Sequence, residues 1–441
     1  MVIVRSPLGL LALIVVFFAS FLDATRIPMF NTNKKHHDGS HSDERHLSRR
    51  SATVDLQRNP SYAPNGPAAY ARALSKWGAE VPEKLAQSLA AMRGPGDGRG
   101  DVEAVSFRDD REYLSRVGFG TPPQWFTVDL DTGSSDVWLY TTETRLSIAQ
   151  DRRIFHINAS STAQQVPNAT WYITYGDGSA AWGRVYRDVI NLANLTFVNA
   201  TIESASAVSA SLAADRDLDG VFGLAYNLSS QTSPRQPGVL AAALLPRLAA
   251  PVFTADLRWR SPAGAYTFGY VDHARRAGEL RYLNLTEGAQ FWEFAYRGVR
   301  AGGRDRWHAP AGEGRWRAIA DTGTTLLLMA SEVAELYYAD VPGARRNATA
   351  GGLWTYPCRN PTLPAFEIRF DDGFDVTIPG QFMNYTAIPD EPDRCMGGLQ
   401  TWGYDDLAIF GDVFLKAVYA VFDVGQARIG FAPKKLNLTP S

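Results

Sequence analysis

The 441-residue sequence is poor in the residues that bind metals or form disulfides. It has two cysteines, Cys358 and Cys395, and only three histidines after residue 100, at widely separated positions. Unless the fold brings those histidines together, their spacing does not match a metal-ligand motif, and we expect no metal and no other cofactor. In an oxidising compartment the two cysteines would join each other and close one loop.

Motifs of several common enzyme classes are also missing. The sequence contains no Gly-x-Ser-x-Gly turn, no phosphate-binding loop and no dinucleotide-binding glycine pattern. These absences argue against a hydrolase of the nucleophile-elbow type, a nucleoside triphosphatase and a dinucleotide-dependent oxidoreductase.

Long apolar runs are missing except near the N-terminus, at residues 8–22. That run has the length of a signal-peptide core and is short for a membrane span. We therefore predict a signal peptide at residues 1–24, with a membrane anchor as the alternative, and no membrane segment in the mature protein. The product would be secreted to the extracellular space, or kept in an acidic vacuole.

Acceptor tripeptides for N-linked glycans begin only after the first hundred residues, which fits a secreted mature part. The candidate acceptors are Asn158, Asn168, Asn194, Asn199, Asn227, Asn284, Asn347, Asn384 and Asn437.

The balance of charge changes sign along the chain. Residues 1–100 hold 13 Lys and Arg against 8 Asp and Glu, and the remainder holds 31 against 38. A basic leader before an acidic body predicts a pro-segment attracted to an acidic surface, with coincidence as the alternative, and argues against nucleic acid as a partner. We place this propeptide at residues 25–104, with two short helices within 67–92 and the mature N-terminus between Asp101 and Asp110.

From about residue 107, short runs rich in Val, Ile, Phe, Tyr and Thr alternate with Gly, Pro, Asn and Asp. This pattern is typical of an all-β protein with many hairpins, with helical candidates only at 238–250 and 330–340. The length is large for one β-barrel or sandwich, so we expect two β lobes, at 105–280 and 281–441.

One short motif occurs twice in matching surroundings. Residues 128–139 read VDLDTGSSDVWL, and residues 317–329 read RAIADTGTTLLLM. About ninety positions after each Asp-Thr-Gly, a glycine follows two apolar residues, at Gly223 and Gly411. We conclude that the mature chain contains two diverged copies of one β lobe, which places Asp131 opposite Asp321 near a pseudo-two-fold axis.

Two carboxyl groups that meet in a partly desolvated cleft cannot both ionise easily, so the pair retains one proton. Such a pair can act as general base toward water and hydrogen-bond to the developing oxygen of an attacked amide. Adjacent glycines would let backbone N–H groups reach the carboxylates, and adjacent hydroxyls would bond locally to carboxylates and backbone. These supporting residues are Thr132, Gly133, Ser134, Thr322, Gly323 and Thr324. A glycosidase also uses paired carboxylates, but that activity does not explain two copies of one turn.

With both motifs in place, the sequence resembles the pepsin-like aspartic proteases over about residues 112–433. The similarity runs through VDLDTGSSDVW, ITYGDGS, LDGVFGLAY, AIADTGTTLLL and AIFGDVFLKAVYAVFD, and PVFTADL and FGYVD look closest to secreted fungal members. The resemblance implies an all-β bilobal fold with the active cleft between the lobes, and Asp131 and Asp321 as the catalytic pair. It also implies polypeptide substrates, pepstatin-type inhibitors and a monomeric enzyme.

The resemblance further assigns roles to a hairpin, the flap, that would close over bound peptide. Tyr175 and Gly176 would lie in its turn, with Tyr175 reaching toward the indole of Trp138. Asp177 on the same turn is associated, in similar fungal enzymes, with acceptance of Lys just before the scissile bond, beside the usual large apolar residues. A solvated rim residue is the alternative for Asp177.

Relatives of this kind are made as zymogens whose basic propeptide covers the cleft as an intramolecular inhibitor. Here Lys76 or Lys84 would reach the carboxyl pair, and acid would protonate cleft carboxylates and release the segment. The alternative function is a catalytically inactive binding or inhibitor protein on the same fold. Such proteins usually lose a catalytic Asp, a motif glycine or the flap Tyr, all of which are present here.

The sequence departs from the family pattern at two points. Leu130 stands before Asp131, where phenylalanine is common, and the cysteine pair usual shortly after the first motif is missing. Cys358 and Cys395 match the later pair. Neither departure affects the proton chemistry of the two carboxyls.

Overall fold

The computed structural model describes residues 50–58, 65–92 and 113–438, apart from residues 151, 175–179, 210–212, 214–217, 229, 260, 262, 310–313, 349–350, 360, 371–372, 390 and 437. Some of the sequence predictions lie outside the described residues: the signal peptide, the mature N-terminus, the flap residues Tyr175, Gly176 and Asp177, and Asn437.

The described part of the leader forms a strand and two helices. These are β1 (Ala52–Arg58), α1 (Gly66–Lys76) and α2 (Glu83–Met92). The Asn65 side chain caps α1 by accepting a hydrogen bond from the Ala68 N–H at 3.0 Å. Shortly after α1 ends, Gly78 adopts a φ of +71°, which suits glycine and turns the chain toward α2. The two short helices predicted within residues 67–92 are therefore confirmed.

The first half of the body is built mainly from strands. They are β2 (Tyr113–Phe119), β3 (Gln124–Asp131), β4 (Val137–Tyr140), β5 (Gln164–Thr174), β6 (Ala180–Leu192), β7 (Leu195–Val208), β8 (Gly220–Gly223), β9 (Thr232–Ser233), β10 (Val252–Asp256) and β11 (Ala265–Phe268). A short helix, α3 (Leu146–Ala149), follows β4. The helical candidate at 238–250 forms a π turn (Leu240–Leu244) and a 3₁₀ turn (Leu245–Arg247).

The second half is also built mainly from strands. Its strands are β12 (Arg281–Asn284), β13 (Glu293–Tyr296), β14 (Gly298–Ala301), β15 (Trp316–Ala320), β16 (Leu327–Met329), β17 (Arg345–Asn347), β18 (Leu353–Pro357), β19 (Phe366–Arg369), β20 (Asp375–Ile378), β21 (Asn384–Ile388), β22 (Glu391–Gly397), β23 (Leu399–Thr401), β24 (Leu407–Phe410), β25 (Val418–Asp423) and β26 (Arg428–Pro433). The candidate at 330–340 is confirmed as α4 (Ser331–Tyr338), and α5 (Asp412–Leu415) follows β24. None of the described helices is long and apolar enough to span a lipid bilayer.

One large sheet joins the two halves. Its strand order is β12-β26-β25-β10-β11-β1-β2-β3-β8-β4-β7-β6-β5-β9, so the C-terminal strands β25 and β26 pair beside β10 of the first half. The leader strand β1 lies inside this sheet, with β11 on one side and β2 on the other. The remaining sheets are β13-β15-β24-β16-β23, β14-β19-β20 and β17-β18-β22-β21.

The strands that carry the two Asp-Thr-Gly motifs follow the same local topology. In the first half β3 pairs in parallel with β8, and β4 pairs antiparallel with β8 and in parallel with β7. In the second half β15 pairs in parallel with β24, and β16 pairs antiparallel with β24 and in parallel with β23. The predicted duplication of one β lobe is therefore visible strand by strand, and the expected all-β bilobal fold is confirmed.

Aromatic packing fills the core below the two motifs. Phe253 stacks on Phe422 at 4.6 Å between ring centroids, and Trp292 packs edge-on against Phe422 at 5.0 Å. All three side chains are fully buried, so this cluster ties β10 and β25 of the central sheet to the second half. The expected disulfide between Cys358 and Cys395 is present and connects the end of β18 to β22.

Candidate active site

The two Asp-Thr-Gly turns meet at the ends of corresponding strands. Asp131 is the last residue of β3, where it pairs with Gly223 of β8. Asp321 follows β15 directly, and its N–H donates to the Phe410 carbonyl of β24 at 3.1 Å. Both carboxyls are buried in the described structure. The parallel strand pairs therefore deliver one carboxyl from each lobe to a common point.

The central threonines of the two turns bond to the opposite lobe. The Thr132 hydroxyl donates to the Ala320 carbonyl at 2.9 Å, and the Thr322 hydroxyl donates to the Leu130 carbonyl at 2.5 Å. Each hydroxyl also accepts the backbone N–H of the other threonine at 3.0 Å. The expectation that hydroxyls bond within their own turn was wrong for Thr132 and Thr322. The pseudo-two-fold axis places each of these hydroxyls beside the backbone of the other lobe.

The Ser134 hydroxyl and the two glycines bond to the carboxyls themselves. Ser134 Oγ donates to Asp131 at 2.5 Å, and the Gly133 N–H donates to the same carboxyl at 2.8 Å. The Gly323 N–H donates to Asp321 at 3.0 Å. These contacts match the local hydrogen bonding predicted from the sequence.

The glycines are also required for space. A Cβ atom added at Gly133 would lie 2.5 Å from an Asp321 oxygen, and one added at Gly323 would overlap an Asp131 oxygen. Each glycine thus makes room for the carboxyl of the other lobe, which fixes the two acids side by side.

Lys76, the last residue of α1, inserts its amine between the carboxyls. Its Nζ lies 2.7 Å from an oxygen of Asp131 and 2.9 Å from an oxygen of Asp321. Lys84, the other candidate from the sequence, is exposed. Of the two lysines, Lys76 is therefore the one in contact with the pair.

The electrostatics of the two acids differ. Burial raises the pKa of Asp321 to about 6, against the opposing charge of Lys76. Burial also acts to raise the pKa of Asp131, but Lys76 and the hydrogen bond from Ser134 outweigh it and hold that pKa below its usual value. For Lys76, burial favours the neutral amine, yet the two carboxylates prevail and raise its pKa.

The helix that carries Lys76 is held mainly by the second lobe. Tyr70 of α1 is buried and donates its hydroxyl proton to the Thr401 carbonyl at 2.5 Å. Trp77 packs edge-on against Phe291 at 4.9 Å, and its indole N–H donates to the Thr324 hydroxyl at 3.4 Å. Residues of α1 therefore line the cleft together with both Asp-Thr-Gly turns.

A family model described as eukaryotic aspartyl protease matches residues 112–434, most of the chain. The chain belongs to that family. It is 35% identical over 366 residues to aspergillopepsin-1 of Aspergillus flavus, across 83% of this chain and 86% of that protein. It is also 35% identical over 382 residues to endothiapepsin of Cryphonectria parasitica, with 86% and 89% covered, and over 386 residues to aspartic endopeptidase PEP1 of Trichophyton verrucosum, with 85% and 91% covered.

The resemblance to fungal pepsin-like proteases is thus confirmed, and the protein is an aspartic-type endopeptidase that acts on peptides. Among the described residues of the protease, no three His, Cys, Asp or Glu side chains are arranged to hold a metal ion.

The hairpin expected to carry the flap is formed by β5 and β6, whose pairing reaches Thr174 and Ala180. Trp138 is fully buried next to this hairpin, where its ring stacks on Trp171 of β5 at 6.2 Å. Trp138 therefore lies beside the β5–β6 hairpin, and its contact with Tyr175 remains a prediction.

The glycan acceptor candidates divide by exposure. Those exposed on the protease surface are Asn158, Asn168, Asn194, Asn199, Asn227 and Asn284, and Asn384 is half-buried. Asn347 is buried, and its side-chain amide donates to Glu391 at 2.7 Å. The proposal of Asn347 as an acceptor is corrected accordingly, because the nitrogen that would carry the glycan is enclosed and bonded in the folded lobe.

Proposed function

We propose that this protease is a secreted, monomeric endopeptidase, made as a zymogen, that cleaves peptide bonds between large apolar residues at acidic pH. The observation that carries the proposal is the position of Lys76, whose amine lies within hydrogen-bond distance of both acids. A cation from the leader occupies the point at which a substrate amide and its attacking water would have to bind.

In the active form, the space between the acids would hold water. The ionised member of the pair takes a proton from that water as it attacks the amide carbon, and the protonated member hydrogen-bonds to the carbonyl oxygen. Asp131 suits the ionised role, since Ser134 and Gly133 donate to its oxygens. Asp321 suits the protonated role, since burial raises its pKa to about 6.

The leader blocks the cleft at more than one place. Besides Lys76, the Trp77 indole bonds to Thr324, and Tyr70 fills a buried position against the second lobe. Strand β1 pairs with β2 and β11, so the leader also holds a place in the central sheet. We propose that residues 25–104 act as an intramolecular inhibitor held by these contacts.

Acid would release this inhibitor by removing the charges that Lys76 contacts. Asp321 takes up its proton as the pH falls through about 6, which leaves Lys76 one charged partner. The pKa of Asp131 is lowered in the folded zymogen, so its ion pair is present at higher pH and is lost as the pH falls through that lowered value. Release therefore begins below about pH 6 and is complete in stronger acid.

Two further features belong to the same proposal. The signal-like run and the glycan acceptors on the surface support export to the extracellular space, with an acidic vacuole as the alternative destination. An acidic residue at position 177, where the family resemblance predicts the flap, supports acceptance of Lys as well as large apolar residues before the scissile bond.

The test compares Lys76→Met with Lys84→Met in the full-length chain. Removing the buried Lys76 amine leaves two carboxyls without their cation, so the leader should bind less tightly. We expect at least about tenfold more pepstatin-sensitive cleavage of a peptide at pH 5.5, with no prior acid treatment. Lys84→Met, an exposed lysine of the same leader, should behave as wild type. Equal activity of the two variants at pH 5.5 would contradict the proposal that Lys76 holds the leader over the two acids.

A further inference from the structure

A second pair of buried carboxyls lies in the first lobe, five residues along the chain from Asp131. Asp136 follows the first Asp-Thr-Gly turn, and Glu203 lies on β7, where its strand neighbour on β4 is Trp138. Asp136 is 2% exposed and Glu203 is fully enclosed. We call these two residues the inner carboxyl pair.

The surroundings of the inner carboxyl pair supply few hydrogen-bond donors. Asp136 accepts one backbone hydrogen bond, from the Gln231 N–H at 2.5 Å. Neither oxygen of Glu203 has a backbone or hydroxyl donor among the described residues, and the polar group that acts on it is the Asp136 carboxyl. Two buried anions in this position would be uncompensated, whereas one shared proton gives each acid a hydrogen-bond partner.

Charged groups on the adjoining elements do not change this conclusion. Asp131, at the end of β3, adds a second negative charge that disfavours ionisation of Asp136. Arg235, on the loop after β9, acts in the opposite direction, but its side chain is exposed and screened by solvent. Glu143 accepts hydrogen bonds from Arg184 and from the hydroxyl of the next β7 residue, Ser204, so these two charges are paired with each other.

Asp136 is also part of the frame that positions the catalytic turn. Its backbone carbonyl accepts the Gly223 N–H at 2.9 Å, and the carbonyl of Ser134 accepts the Ala225 N–H at 2.8 Å. Ser134 in turn donates its hydroxyl proton to Asp131. Movement of Asp136 away from Glu203 would therefore pull on the segment that supports Asp131.

We propose that Asp136 and Glu203 share one proton, and that this proton holds residues 134–136 in place beside Asp131 in the working enzyme. The proposal rests on the proposed function only in its consequence for activity. When both acids of the inner carboxyl pair ionise, the start of β4 separates from β7, and the first lobe loses stability. Asp136 and Glu203 are positioning residues that act on the active site through Ser134.

The direction of the pH dependence follows from the burial of both acids. Burial raises the pKa of Asp136 to about 6, and burial together with Asp136 raises the pKa of Glu203 well above its usual value. An acid with a raised pKa in the folded state contributes stability that is complete below its unfolded pKa and is lost as the pH rises through the folded one. The first lobe should therefore weaken from about pH 4 upward, and the loss should continue until the pH has passed the folded pKa of each acid, which is about 6 for Asp136.

The test is thermal unfolding of the full-length chain at pH 5.0 and pH 7.5, followed by tryptophan fluorescence, with pepstatin added to prevent self-digestion. Glu203→Gln keeps the shape of the acid and replaces its ionisable proton with a permanent amide donor toward Asp136. We expect the variant to unfold within about 2 °C of wild type at pH 5.0 and on the order of 5 °C higher at pH 7.5. Asp136→Asn should give the same pattern through the other member of the pair.

A matched control separates this effect from a general change in packing. Asp188 is a buried acid of the same lobe, and its Oδ1 accepts hydrogen bonds from Ser160 and Thr162. Asp188→Asn should shift the unfolding temperature equally at both pH values. A difference between Glu203→Gln and wild type that is the same at pH 5.0 and pH 7.5 would overturn the proposal. Failure of both pair variants to fold at pH 5.0 would overturn it too, since each amide imitates the neutral pair.

The unfolding measurement does not require activity, so it remains informative if the chain proves to be a poor protease. A second measurement follows the consequence for activity. After acid processing and transfer to pH 7, Glu203→Gln should keep its peptide-cleaving activity at least about fivefold longer than wild type. Equal lifetimes would mean that the inner carboxyl pair does not support the catalytic turn.

Discussion

Gly133 and Gly323 show how little space surrounds the two acids. A methyl group on either residue would collide with the carboxyl of the other lobe, so the motif must end in glycine for the acids to meet. The sequence alone was sufficient to predict that the two acids meet, because the same three residues occur twice in matching surroundings. The sequence was not sufficient to predict the hydrogen bonds of Thr132 and Thr322. Each of these threonines bonds to the backbone of the other lobe, so its bonds depend on how the two lobes are joined.

Thr132→Val tests the cross-lobe bonds at the scale of one residue. Valine keeps the shape of threonine but leaves the buried Ala320 carbonyl without its donor and the Thr322 N–H without its acceptor. Each unsatisfied group costs about 1–3 kcal/mol, so the free energy of unfolding should fall by at least about 2 kcal/mol. Urea denaturation measures this change.

Thr377→Val is the matched control, because Thr377 is exposed on β20. Its effect on the free energy of unfolding should stay within about 0.5 kcal/mol. If the two valine variants were equally stable, the reciprocal threonine bonds would not be holding the turns together.

At the scale of elements, local sequence patterns predicted a helix correctly where the folded protein also offers an apolar surface for that helix to pack on. The leader helices and α4 formed as predicted, because each has an apolar face that packs on the second lobe. The candidate at 238–250 formed a π turn and a 3₁₀ turn, and Pro246, which has no N–H to donate, lies where a longer helix would have continued. The choice between Lys76 and Lys84 could not be made from the sequence, since it depends on the path of α1 across the cleft.

The β5–β6 hairpin leads to a prediction about substrate choice. Asp177 stands in the sequence between these two strands, and if its carboxylate faces the cleft it would attract a basic side chain bound just before the scissile bond. In Asp177→Asn, kcat/KM for a peptide with Lys at that position should fall about tenfold relative to the matching Leu peptide. The two peptides are each other's control, and an unchanged Lys to Leu ratio would mean that Asp177 is only a solvated rim residue.

At the scale of the whole molecule, the arrangement depends on duplication. Each lobe contributes one carboxyl, one glycine and one threonine, and the pair exists only because two similar strand ends meet. The central sheet also contains β1 of the leader, so leader and body share one sheet. The spacing of the repeat predicted the meeting of the acids. The two members of the inner carboxyl pair, by contrast, lie just before β4 and on β7, and no repeat or motif in the sequence linked them.

The central claim is that Asp131 and Asp321 together hydrolyse peptide bonds in acid. The most direct measurement is haemoglobin digestion at pH 3.5 by the acid-processed chain, with and without pepstatin, beside Asp131→Asn and Asp321→Asn. Both substitutions keep the size of the side chain but remove one of the two titrating acids, so a shared proton can no longer pass between them. We predict pepstatin-sensitive digestion by the wild type and a loss of at least about a thousandfold in each variant. Digestion that persists in either variant, or a processed wild type without pepstatin-sensitive activity, would contradict the account.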